Sequence, residues 1–305
     1  FIFAQTFTLT ITFLLALFIS TSKIQEWQFK LDFKFMKQIL VECTPYALAI
    51  FLMIIYTYTD VVMIEQLLDD GKYQAGAYGA GYRLLEAINM IGYLFSVLLL
   101  PMLSKLLVES VQKATDLAYF SFQLIMAGAL PIGICCFVFS EEIMFLLYDE
   151  ATIYWGQIMG LLILTFIAMS CTYVFVTLLT ANNSLTIMNK VFIFGCFLNI
   201  GLNLYLIPTQ KAYGASMATF FCQFLMAVLV FIIAHYKLKV AIQWKVLLKI
   251  LVFSLICIAI PLALKSFVQV EWTWIFMISI GLSLLAAMIL KLLNFRILLE
   301  MAKNR

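Results

Sequence analysis

Apolar positions gather into nine long runs, at about 2–20, 38–64, 82–103, 118–139, 153–180, 187–207, 213–235, 246–264 and 272–293. A helix needs roughly 20 such residues to cross ~30 Å of hydrocarbon. The runs are continuous instead of alternating every second residue, so they read as helices and not as barrel strands. Helices and closed barrels are the two structures that leave no backbone group unpaired in lipid. The pattern predicts an all-α membrane protein with about nine transmembrane helices.

Polar residues break the runs at helical spacing. In the second, Glu42, Tyr46, Met53, Tyr56 and Asp60 share one face. In the third, Tyr82, Glu86, Asn89, Tyr93 and Ser96 repeat at intervals of 4, 3, 4 and 3, with Arg83 on the flank. Asn199 and Asn203 lie one turn apart in the sixth run, and Ser216, Thr219 and Gln223 line one side of the seventh. A helix surrounded by lipid is apolar all round, so a polar stripe implies a protein contact or a wet cavity. The Asn, Ser, Thr and Gln residues fit hydrogen bonding between helices. Glu42, Asp60, Arg83 and Glu86 carry charge on two consecutive runs and are expected to line a cavity, because ions inside a membrane default to function. The structural alternatives are a self-neutralising i,i+3 pair of Arg83 with Glu86, and a place for Asp60 at the outer end of its helix. An Arg facing a cavity suits a phosphate through its fixed fork of donors.

Charge fixes an expected orientation. Of the nineteen Lys and Arg residues, fifteen fall in alternate connections and the tail, and four, Lys72, Arg83, Lys211 and Lys265, fall on the opposite side. The positive-inside rule puts the first set, and the C-terminus, in the cytoplasm. The acids Glu65, Asp69 and Asp70, and Glu141, Glu142, Asp149 and Glu150, then cap outer loops as solvated groups. His235 ends a run beside Tyr236 and Lys237 and reads as an interfacial residue.

Composition narrows the chemistry. The chain of 305 residues is 65% hydrophobic and 11% charged, against about 25% charge in a soluble domain. A soluble globule is excluded. One His leaves no catalytic relay or His-rich metal site, and the seven cysteines, all in apolar runs without CxxC spacing, read as small hydrophobes. A net charge of +3 gives no sign of nucleic-acid binding. No catalytic residue, metal site or cofactor is expected, and the chain is not expected to be an enzyme. Phe1 already sits inside an apolar run, so the expectation is a fragment lacking its natural N-terminus.

The run Tyr78-Gly-Ala-Gly-Tyr-Arg83-Leu-Leu-Glu86, followed by Leu100-Pro101-Met-Leu-Ser104-Lys105, resembles the eighth helix of the multidrug/oligosaccharidyl-lipid/polysaccharide exporter superfamily. A preceding helix ends Tyr58-Thr-Asp60-Val-Val-Met63, as in that superfamily. Leu198-Asn199-Ile-Gly-Leu-Asn203-Leu-Tyr-Leu-Ile-Pro208 and Tyr213-Gly214-Ala215-Ser216-Met-Ala218-Thr219 are similar to its eleventh and twelfth helices, and Phe145-Leu-Leu-Tyr148 and Leu179-Thr-Ala-Asn182 fit between. The likeness covers residues 38–236. It implies a two-lobed, MATE-like transporter of which this chain holds the last helix of an N-terminal lobe (1–20), an inter-lobe linker (21–37), a six-helix lobe (38–236), two further helices (237–293) and a cytoplasmic tail (294–305). Five spans would precede residue 1, an odd number that agrees with the charge-derived orientation.

Within that superfamily the likeness is to the polysaccharide-type flippases of the bacterial inner membrane. It implies translocation of a polyprenyl-pyrophosphate-linked oligosaccharide by alternating access, for polysaccharide or O-antigen synthesis, beside glycosyltransferases and a polymerase of the same route. Arg83, Glu86, Asp60, Glu42, Asn89 and Tyr82 are the expected substrate-binding residues. Arg83 is the electrostatic partner of the pyrophosphate, and the acids either orient it or carry a coupling H+ or Na+. The alternatives are a cation-coupled multidrug exporter of the same superfamily and a membrane-embedded glycan polymerase or glycosyltransferase.

Overall fold

The computed structural model describes residues 2–23, 32–267 and 270–293, apart from the side chains of residues 2, 4, 22, 23, 45, 49 and 53. Most of the linker and the whole tail expected from the sequence, 24–31 and 294–305, lie outside the described residues, as does the side chain of Met53. The chain divides into two compact units at Thr44/Pro45. The first holds α1 (Ile2–Lys23) and the opening turns of α2 (Phe33–Leu67). Hydroxyls in α1 return to their own backbone, Thr10 to the Thr6 carbonyl at 2.8 Å and Thr12 to Thr8 at 2.9 Å, which lets threonine sit in an apolar helix. Asp32 starts α2 by accepting the amides of Lys34 and Phe35 at 2.9 and 3.0 Å, the usual service of an N-cap carboxylate.

The second unit continues α2 and adds α3 (Gly71–Glu109), α4 (Val111–Val138), α5 (Ser140–Leu147), α6 (Ile153–Ala181), α7 (Leu185–Leu238), α8 (Trp244–Phe267) and α9 (Trp272–Ile289). The described residues are helical without strands. Seven helices among them are long and apolar enough to span a membrane: α2 from Tyr46, α3, α4, α6, α7, α8 and α9. The nine runs of the sequence and this count differ in two places. In α1, a helix of 22 residues, the described apolar stretch is Gln5–Thr21. The runs 187–207 and 213–235 join into the 54-residue α7, whose one non-helical residue is Lys211 at φ 55 and ψ −138.

α7 is a helical hairpin. Pro208 removes one backbone donor just before the break, and Lys211 reverses the chain. The limbs then run back along each other: a Cβ on Gly195 would meet Met226 Sδ at 2.9 Å, and one on Gly214 would run into the Leu206 carbonyl oxygen. Gly214 is therefore required by close approach of the two limbs.

α6 is the packing centre, with α3, α4, α5 and α7 around it. Lipid supplies no hydrophobic drive between helices, so close backbone approach through small residues does the work. Ala77, Ala80 and Gly81 of α3 are buried, and a Cβ on Gly81 would come within 3.1 Å of Met159 Cα on α6. One buried cluster joins α4, α6, the second limb of α7, α8 and α9 around Tyr119, Phe175 and Phe253. The other joins α2, α3, α5, α6 and the hairpin bend around Ile64, Tyr78, Met159 and Ile207. Outward faces of α3, α8 and α9 are apolar and exposed, as a lipid-facing surface requires.

α8 and α9 are tied to the rest at both ends. At one end Lys265 Nζ meets Glu142 Oε1 at 2.7 Å and lies 5.1 Å above the Phe139 ring, which stacks on Trp272. At the other, the Gln243 amide donates to Tyr119 Oη at 2.9 Å, and Tyr119 Oη lies 2.6 Å from His235 Nε2. His235, in the last turn of α7, is thus a buried bridging residue. Its position at the end of an apolar run hid the partners, which come from a helix 116 residues away.

Candidate functional site

The stripe of α2 delivers Asp60 into the interior, where it is 2% exposed. Three side chains from three directions donate to its carboxylate. Tyr78 Oη on α3 reaches Oδ2 at 2.7 Å, Thr219 Oγ1 on the second limb of α7 reaches the same oxygen at 2.5 Å, and Asn203 Nδ2 on the first limb reaches Oδ1 at 2.6 Å. Asn203 also donates to Asn199 Oδ1 at 3.1 Å, and Asn199 itself faces Asp60. Asn203 and Thr219 are equally far in sequence from the Lys211 bend, so the hairpin closes its limbs on the carboxylate. No Lys or Arg pairs with Asp60 among the described residues. An ionised carboxylate in such a place costs several kcal/mol unless hydrogen-bonded or neutralised, and here hydrogen bonds alone answer the charge.

Oxygen atoms surround this anion with acceptor capacity to spare. Asn203 Oδ1 and Tyr56 Oη are buried without a hydrogen-bond partner, and Tyr56 lies within electrostatic reach of Asp60. One carboxylate with neutral amide and hydroxyl oxygens suits a proton or a hard monovalent cation. No group of three or more His, Cys, Asp or Glu side chains converges among the described residues.

A second network holds the hairpin bend. Lys211 Nζ pairs with Asp70 Oδ2 at 2.8 Å, and Gln74 Nε2 donates to that same oxygen at 2.9 Å. Gln74 Oε1 accepts from Tyr154 Oη at 2.8 Å and from the Ala212 amide at 3.4 Å, while Tyr154 Oη takes the Tyr213 amide at 3.2 Å. Amides freed where the helix breaks thus find partners on α3 and α6. Lys211, followed first by Gln74, holds the Asp70 carboxyl below its ordinary pKa. Asp70 and Glu142, expected as solvated caps, reach solvent and are also ion-paired, with Lys211 and Lys265.

The other expected site residues fall elsewhere. Arg83 and Glu86 are exposed on the flank of α3, and they are in none of the ion pairs among the described residues, so the i,i+3 pair does not form. Tyr82 is half-buried and stacks on Tyr78 with ring centroids 5.8 Å apart. Asn89 is half-buried and faces Tyr173 on α6. Glu42 belongs to the first unit, where it is exposed and accepts from Gln38 at 2.9 Å. Asp60 is sealed instead of standing at an open helix end. Sequence reasoning left out Tyr78 and Gln74. Tyr78 was findable, since it extends the α3 stripe one turn before Tyr82; Gln74 gave no signal beyond lying on the same helix.

No curated protein matches the sequence at a significant level. A family model described as Lipid II flippase MurJ matches residues 2–283. With more than nine-tenths of its length matched, the chain belongs to the MurJ lipid II flippase family, within the multidrug/oligosaccharidyl-lipid/polysaccharide exporter superfamily.

Proposed function

We propose that this multi-pass membrane protein moves lipid II, a lipid-linked precursor of peptidoglycan, across the bacterial inner membrane by alternating access. The family match along residues 2–283 carries the reading. It replaces the O-antigen glycan expected from the sequence, while the general flippase role is unchanged. The reaction class is transport without covalent chemistry. Its neighbours in order are glycosyltransferases that build the lipid-linked unit and a polymerase that consumes it. The C-terminus lies in the cytoplasm, as the basic residues indicate.

Arg83 is exposed and has no acid paired to it among the described residues, which leaves its guanidinium fork available to a pyrophosphate. Asp60 carries the coupling cation, H+ or Na+, since its buried carboxylate lies among oxygens with unused acceptor capacity. Cation binding there draws the two α7 limbs and α3 together, and release loosens them. A difference in cation occupancy between lobe conformations supplies the bias that transport needs.

Growth complementation tests the reading. The intact gene product is expressed in a bacterium depleted of its own lipid II flippase, and externally exposed lipid II is measured. Restored growth and restored lipid II exposure are expected. Ethidium efflux without rescue, at normal abundance in the membrane, would refute it and select a multidrug exporter.

A further inference from the structure

A sealed coupling anion needs a way in. Asp60 is 2% exposed, whereas Glu86, on the same α3 stripe as Tyr78 and Tyr82, is open to the surroundings. Tyr82 stands between them in contacts as well as in sequence. Its ring lies nearly parallel to that of Tyr78, at 16°, and Tyr78 holds Asp60 directly. The Tyr82 hydroxyl faces Thr57, about one turn of α2 before Asp60, and lies within electrostatic reach of both Asp60 and Glu86. Tyr82 is itself half-buried, in contact with the interior on one side and the surface on the other. Of the other residues around Asp60, Tyr78, Asn199, Asn203 and Thr219 are buried, and Tyr56 is half-buried on the helix of Asp60 itself.

We propose that Tyr82 is the gate between Asp60 and the exposed carboxylate of Glu86, so that a cation bound for Asp60 passes Glu86 and enters when the Tyr82 ring swings off Tyr78. The reading deepens the coupling role of Asp60 and rests on it. Glu86 gathers cations at the mouth, the phenol ring blocks water and ions while stacked, and the stack on Tyr78 holds it shut. A single rotamer change opens such a route on a timescale much shorter than a lobe movement. Tyr82 is a positioning and gating residue: it holds no substrate.

A hydrophobic carbodiimide, dicyclohexylcarbodiimide, reports entry directly, because it modifies protonated carboxyls inside membranes. The full-length protein in liposomes is treated with this probe and the modification rates of Asp60 and Glu86 are read separately by peptide mass spectrometry. Asp60 is expected to react much more slowly than Glu86 in the wild type. Tyr82→Ala raises the Asp60 rate about tenfold and leaves that of Glu86 unchanged, whereas Tyr82→Leu, which keeps an apolar plug, stays within about twofold of wild type. If Tyr82→Ala does not fold, Tyr82→Ser decides, since it also removes the ring and raises the Asp60 rate about threefold. An Asp60 rate unchanged in Tyr82→Ala, or in Tyr82→Ser where that variant is the test, overturns the gate. Added Na+ separates the two readings: wild-type labelling that ignores Na+ at fixed pH removes sodium coupling, while acceleration by Tyr82→Ala still upholds the gate.

Discussion

Asp60 and the Arg83–Glu86 pair come from stripes that look alike in the sequence, yet one is sealed and the other open. Asp60 is 2% exposed and held by donors 18, 143 and 159 residues away, whereas Arg83 and Glu86 are exposed and take part in no ion pair among the described residues. The difference lies in the neighbours. Asp60 faces the two limbs of a hairpin whose inner surface carries Asn199, Asn203 and Thr219 at matching depth. Arg83 and Glu86 lie on the flank of α3 away from the Ala77–Ala80–Gly81 surface that packs on α6. A buried carboxylate among oxygens with unused acceptor capacity suits a resident cation, and an exposed charge suits a passing ligand. The lobe holds both on adjoining helices.

Substitution sharpens the contrast. Asp60→Ala removes the acceptor from three buried donors, so both functions of the cluster go: lipid II translocation falls at least about 100-fold, and thermal unfolding shifts down because each orphaned donor costs on the order of 1 kcal/mol. Arg83→Ala cuts translocation at least about tenfold but leaves abundance and unfolding temperature unchanged, as expected of an exposed group whose partner is the substrate. Restoration by Lys would be partial, since an ammonium lacks the guanidinium fork. If both variants lost stability equally, the division between sealed and open sites would fail.

Smaller effects probe the shell and the bend. Tyr78→Phe deletes one of three bonds to Asp60 and costs about 1 kcal/mol in a reversible unfolding assay; Glu86→Gln leaves that assay unchanged. The smallest effect is at Asp70. Its carboxyl, held below the ordinary value chiefly by Lys211, makes a stabilising contribution that is complete above about pH 4 and is lost as pH falls through the lowered pKa. The pair is exposed, so the loss is modest, and Lys211→Met removes this acid-side slope from the unfolding temperature.

Much of this was legible in the chain, at the level of elements more than of contacts. Long apolar runs predict helices because lipid permits little else, and eight of the nine runs coincide with the long helices α2 to α4 and α6 to α9, two of them joined in α7. The break at Lys211 was read as a loop between two spans, because Pro208 and the Thr209–Lys211 polar step interrupt hydropathy without revealing that one residue makes the turn. Asp60, Asn199, Asn203 and Thr219 each stood out as polar positions in apolar helices. Their convergence did not, since a stripe gives a face but not the partner opposite, and the partners lie more than 140 residues apart. The partner of His235, Tyr119, was hidden for the same reason. The local eight-residue α5 was missed because Glu141 and Glu142 mark it as a loop by charge, although acids in a first turn favour a helix.

The claim that Asp60 is the coupling site is tested most directly by gradient-driven translocation. Purified protein is placed in liposomes with fluorescent lipid II, a Na+ or pH gradient is imposed, and the translocation rate is compared with that at zero gradient for the wild type and Asp60→Asn. The account predicts that one of the two gradients accelerates the wild type and that Asp60→Asn, folded and inserted, responds to neither. An Asp60→Asn protein that keeps the wild-type gradient response would contradict it.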